Sequence, residues 1–176
     1  MHAKRTTLTT LSTVVLASLL SAATASAAFE SYARIRGTKQ GQIKSSESAS
    51  KTDAAAFRIE SYKMFDPAGA AVGKRRHVPI IITKEIDSAS PKLLQALSTN
   101  ETLSDFVIQS SDPSSKSAPP ITIQATNARV TSINHVANDG QHPSLTKGKA
   151  YEEISFAYEK VQVTRGQAAP ETDTWE

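Results

Sequence analysis

The chain has 176 residues, with 20 Lys and Arg against 17 Asp and Glu, four His and no Cys. Cysteine ligands, cysteine nucleophiles and disulfides are therefore excluded, and the fold must be held by packing alone. Without Lys4 and Arg5 the balance is 18 basic against 17 acidic side chains, so the basic pI owes much to the first few residues.

Those residues have the layout of a secretory signal peptide. Lys4 and Arg5 are followed by a mostly apolar run from Leu8 to Ala23, then by Ala25-Ser26-Ala27. The run is short and diluted by Thr and Ser, which argues against a membrane anchor. Cleavage after about Ala27 is expected, giving a secreted or periplasmic chain. The expected organisation is a signal segment at 1–27, one domain at 28–165 and a polar tail at 166–176. No later segment reads as a membrane span.

Tyr32 to Arg36 reads as a strand ended by Gly37. Lys39 to Ala55 is Ser-rich and without period, as in a long loop. Phe57-Arg58-Ile59-Glu60 alternates like a half-buried strand. Asp66 to Gly69 is a turn signal. His77 to Thr83 is β-branched, and Pro79 places its beginning at an edge or a strand start. A helix follows, with Ser90 as expected N-cap, Pro91 in the first turn, an apolar stripe of Leu93, Leu94 and Leu97, and Asn100 as the stop. At two to three turns it needs a sheet to lie on.

Phe106 to Ile108, Ile121 to Ala125 and Ala128 to Ile133 are further strand segments. Asn138 to Lys149 reads as loop. Ile154, Phe156 and Tyr158 alternate, and Val161 and Val163 then fall on the opposite parity, as at a bulge or a strand covered on both sides. No alternation of strand and helix is present, so a doubly wound parallel sheet is not expected. The expected fold is mostly antiparallel β, a barrel or sandwich of two sheets with one short flanking helix.

No catalytic, cofactor or metal site emerges. His135 and His142 lie in or beside a predicted loop with Asp139, but loop histidines with no helical i, i+4 spacing are a poor zinc motif. Glu152, Glu153 and Glu159 read as surface charge, since neighbouring carboxylates on a strand face opposite ways. The basic cluster Lys74-Arg75-Arg76-His77 lacks interleaved aromatics, so no nucleic-acid partner is expected.

The passage GKRRHVPIIITKEIDSASPKLLQAL, Gly73 to Leu97, resembles the haemolysin-coregulated protein (Hcp) family, the tube proteins of type VI secretion. The matching positions are Arg75, His77, Pro79, Lys84, Ile86, Asp87, Ser90, Pro91 and Leu93. DFVIQ, ITIQATNARVTSI and YEEISFAYEKVQV follow in a similar order, and the likeness spans about residues 32 to 164. It implies a compact two-sheet β-barrel with a helix on its flank. It also implies six-membered rings stacked into a hollow tube, effector cargo in the lumen, contact with the secretion apparatus, and no catalysis. The chain departs from the pattern in its export signal and in its Ser-rich first loop, a region that in the family helps to join stacked rings. Two other readings stand beside this one: an exported monomeric β-barrel binding a cell-envelope or extracellular ligand, and a hydrolase using Asp139 and His142.

Overall fold

The computed structural model describes residues 29–64, 78–115, 117–137, 145 and 148–174. The expected signal segment, the cluster at 74–77, and Asp139 and His142 lie outside the described residues. The elements are β1 (Glu30–Gly37), β2 (Gly41–Ile43), β3 (Ala56–Ile59), β4 (Ser61–Met64), β5 (Ile80–Glu85), α1 (Ser90–Ser98), β6 (Thr102–Ser111), β7 (Ile121–Thr126), β8 (Ala128–Ala137), β9 (Ala150–Ala157), β10 (Lys160–Arg165) and β11 (Glu171–Thr174).

The strands form one continuous, strongly curled antiparallel sheet, a half-barrel, in place of the two sheets expected. Its hub is β6. Along one side β6 pairs with β1. Along the other, its start pairs with β8 and its end with β7. From β8 the sheet continues through β9 and β5 to β4, and from β7 through β10 to β11.

A single sheet can curl this far because its strands bend at defined residues. Asn127 alone separates β7 from β8 and adopts φ 52°, a left-handed conformation that Asn tolerates better than most side chains. Beside it, Tyr158 and Glu159 separate β9 from β10. The Glu159 amide donates to the Thr126 carbonyl at 3.0 Å, and Asn127 Nδ2 donates to Glu159 Oε2 at 2.6 Å. Both ladders thus turn the same corner. This corner, rather than a bulge, explains the parity change between Phe156 and Val161. Glu60 makes a third bend between β3 and β4, its amide donating to the Thr83 carbonyl at 2.8 Å.

The concave face holds the core. Ala33 and Ile35, Phe57 and Ile59, and Ile154 and Phe156 alternate inward along their strands. Phe106 and Phe156 meet in a tilted pair with ring centroids 4.7 Å apart, a geometry their quadrupoles favour.

The helix α1 packs against β8. Its buried side is Leu93 and Ala96, with Leu97 partly covered, whereas Leu94 is 57% exposed and does not belong to the stripe. Ser90 is the first helical residue, not the cap; the cap position is Ala89 and makes no side-chain bond. The Ser90 hydroxyl is used elsewhere, as described below.

Asn100 does end the helix, at φ 49°. Its amide donates to the Leu97 carbonyl at 3.1 Å, and that of Glu101 reaches the Ala96 carbonyl at 2.9 Å. This is a Schellman ending, which satisfies carbonyls that the last turn leaves open. Asn100→Gly is expected to match or exceed the parent stability, and Asn100→Val to lose about 1–2 kcal/mol in urea unfolding, because a β-branched residue resists the left-handed region.

Candidate functional site

Lys84 sits on β5 with the same parity as Ile80 and Ile82, so backbone geometry drives it inward. Directly opposite it on β9 is Glu152, which shares its parity with Ile154 and Phe156. Lys84 is 0% exposed and Glu152 1%. Glu152 is therefore not the surface charge that was expected. Its neighbour Glu153 does face outward, where it accepts from Lys63 Nζ at 3.1 Å.

A buried ammonium must have its N–H groups satisfied. Lys84 Nζ is 2.6 Å from the Glu85 carbonyl, 2.7 Å from Asp87 Oδ1, 3.0 Å from Glu152 Oε1 and 3.2 Å from Ser90 Oγ. Ser90 in turn donates to Glu152 Oε1 at 2.6 Å and accepts from the Asp87 amide at 3.1 Å. The Phe57 ring centroid lies 5.8 Å from Nζ, within cation–π range. One charge thereby joins β5, the turn after it, the head of α1 and β9.

The cluster reaches into the Ser-rich loop. Ser48 Oγ is 2.7 Å from Asp87 Oδ2 and 2.8 Å from Ser45 Oγ. Ser88 Oγ donates to Glu47 Oε2 at 2.6 Å, and the Ser46 amide donates to Ser88 Oγ at 3.1 Å. Two more clamps hold the rest of the loop. Glu101, 2% exposed, accepts from the Lys39 and Gln40 amides at 2.5 and 3.0 Å. Arg34 donates from Nε to Asp105 at 2.7 Å and from Nη1 to Asp53 at 3.2 Å. Part of this loop is β2, and Ala49 bridges to Phe57. The segment read as featureless is a hydrogen-bonded structure.

Gly37 makes the Glu101 clamp possible. A Cβ at residue 37 would come within 2.3 Å of Glu101 Oε1, closer than such atoms can approach. The Gly that ends β1 is thus needed for close approach.

Electrostatics follow the geometry. Burial pushes the Asp87 carboxyl up, but hydrogen bonds from Lys84, Ser45 and Ser48, with the Lys84 charge, hold it below the ordinary 3.8. Glu47 is exposed; the Ser88 hydroxyl is the main reason it falls from 4.5 to about 2.

Among the described residues the other carboxylates and the histidine do not converge on a site. His135 is exposed on β8, opposite Glu152 in register. Among the described residues no three His, Asp or Glu side chains are grouped to hold a metal. Glu159 serves the corner at Asn127. The described residues that the sequence reading missed are Lys84 and Glu152 as inward charges and Glu101 as a loop clamp. Strand parity was the available signal for the first two.

Two outcomes follow. Lys84→Met leaves Asp87 and Glu152 without a counter-charge and is expected to cost about 3–5 kcal/mol in chemical unfolding. A carboxyl whose folded value is lowered stabilises the fold above its unfolded value, and that contribution is lost as pH falls through the folded one. The urea midpoint is therefore expected to decline as pH drops from 4.5 toward 2, and Glu47→Gln to decline less steeply over that window.

Comparison with known proteins accords with this geometry. The family described as "Type VI secretion system effector, Hcp" matches residues 32–164. The "Major exported protein" of Pseudomonas aeruginosa is 30% identical over 149 residues, covering 76% of this chain and 87% of that protein. The structure of the secreted protein Hcp3 from Pseudomonas aeruginosa has a TM-score of 0.63 at 25% identity, covering 85% of this chain and 99% of that one. The crystal structure of another Hcp protein has a TM-score of 0.69 at 20% identity, with the same coverage. The chain belongs to the Hcp family of type VI secretion, whose members are secreted structural proteins and not enzymes.

Proposed function

We propose that the chain associates into six-membered rings that stack into a tube in type VI secretion, the curled sheet closing as a barrel wall and the lumen receiving effector cargo. The observation that carries this reading is the span of the family match: residues 32–164 include nearly all of β1 and run through the greater part of β10. Free strand edges support it. Among the described residues β4 pairs only with β5, and β11 only with β10. An unpaired edge is a template for another chain, and a cyclic assembly is the usual way to use one without making fibres.

The organisation that goes with this function is a signal segment at 1–27, cleaved after about Ala27, and an assembling domain at 28–165. The residues after it contribute β11, so the expected polar tail carries a strand of the sheet. The exported monomeric binding module remains the second reading, motivated by the export signal at the N-terminus.

Native mass spectrometry of the mature chain distinguishes the two. A closed ring gives a species of about 100 kDa, by multiplication of the subunit under cyclic symmetry; a single-subunit mass supports the binding module and overturns the ring. N-terminal mass determination from the native host is expected to find a chain beginning at Ala28, and an intact Met1 overturns cleavage.

A further inference from the structure

We infer that Lys84, which never reaches the surface, is a positioning residue: it sets how the loop between β2 and β3 is presented to a second copy of this chain. The inference deepens the tube proposal and rests on it for its partner, but its physical basis is independent.

The loop cannot position itself. Between Ile43 and Ala56 the only apolar side chains are alanines. Nothing there has enough apolar surface to anchor the loop by burial. Hydrogen bonds must fix it. Its second half is fixed by Arg34 through Asp53. Its first half is held in two places: to β3 by the Ala49–Phe57 bridge and the Arg58 amide donating to the Ser48 carbonyl at 2.7 Å, and to the turn after β5 through Ser48 to Asp87 and through Glu47 and Ser46 to Ser88.

That turn is in turn held by Lys84. Asp87 uses one carboxylate oxygen for Lys84 Nζ and the other for Ser48. Asp87 Oδ1 also accepts from the Ala89 amide at 2.9 Å. Remove the ammonium, and the carboxylates of Asp87 and Glu152 lose the one buried cation that they share. Like charges so placed cannot both persist. Asp87 must then take up a proton or turn away, and Ser48 loses a charged acceptor. Lys44, Ser46, Glu47 and Ala49 are the exposed residues carried on this stretch. Their placement, and not their chemistry alone, decides whether a neighbouring copy fits against them.

The test is amide hydrogen exchange on full-length protein, with three variants. Asp87→Asn and Ser48→Ala cut the link while leaving the Lys84–Glu152 pair. Lys84→Met with Glu152→Met replaces that pair by apolar side chains of similar volume, which removes one of the two carboxylates that Lys84→Met alone strands. Exchange at residues 45–50 is expected to rise at least tenfold in all three. Exchange in β8 and β9 is expected to stay at the parent level in Asp87→Asn and Ser48→Ala, and the double variant, whose buried Asp87 has lost its cation, to unfold below the parent but above Lys84→Met alone. A role confined to holding the fold together predicts the reverse for the double variant, with loop protection returning together with stability. Parent-level protection at 45–50 in the double variant or in Asp87→Asn overturns the inference.

Electron microscopy reads the consequence. The same variants are expected to give rings of parent mass whose stacks are at least tenfold fewer; rings that stack normally overturn the link to the second copy. If the parent itself forms no ring, the tube proposal fails, while the exchange result still decides what Lys84 does.

Discussion

The pairing of Lys84 with Glu152 across β5 and β9 is the constraint that orients the polar parts of the subunit, from the first loop through the turn at Asp87 to the head of α1. A sheet and a helix can be packed by apolar contact alone, and most of this core is. But the first loop, the turn at Asp87 and the head of α1 offer little apolar surface, and they converge on one buried ammonium. Such a pair is weak evidence for stability, since desolvation offsets much of its attraction. Its value is directional. Carbon packs against carbon at many angles, whereas an ammonium with its acceptors filled accepts one arrangement. Specificity of conformation is what a subunit requires if its contacts must repeat identically around a ring.

The curl of the sheet obeys a different rule. Hydrophobic burial asks for closure, and continuous ladders resist it, so the strands bend where backbone can bend cheaply. Asn127 and Glu159 do this for two ladders at one place, tied by a direct side-chain bond. Glu60 does it for a third. The result is one sheet that can enclose a core without the inter-sheet loops of a sandwich. It also explains why β6 serves three neighbours: on one flank the two strands that β6 meets, β8 and β7, are consecutive arms of the same bend.

How legible all this was depends on which physical signal carried it. Strands with clean alternation, such as Ile154 to Tyr158, were visible in sequence because half of each is core. The ten residues of β6 shrank to Phe106–Ile108, since Ser104, Gln109, Ser110 and Ser111 carry no hydrophobic signal even though Ser110 is buried. Ser90 looked like a cap because a serine before a helical proline usually is one; here tertiary contact with Glu152 took its hydroxyl instead. Glu171–Thr174 and the serine loop are held by backbone pairing and hydroxyl bonds, and neither leaves a periodic trace. Lys84 and Glu152 were readable in principle: each continues the inward parity of the isoleucines beside it. The stretch that carries the family resemblance contains Lys84, Asp87 and Ser90 together, but the resemblance assigned them no contact with one another.

The distribution of these partners along the chain has a kinetic side. Lys84 and Glu152 stand 68 residues apart, and the side chains of Arg34 and Asp105 stand 71 apart. Contacts of such long range slow folding. While the chain is being made, β5 has no second neighbour and Lys84 no strand-borne counter-ion until β9 emerges. Synthesis must therefore pass β9 before Lys84 can be buried against its partner, so the loop and turn that depend on this charge settle late in the making of the domain.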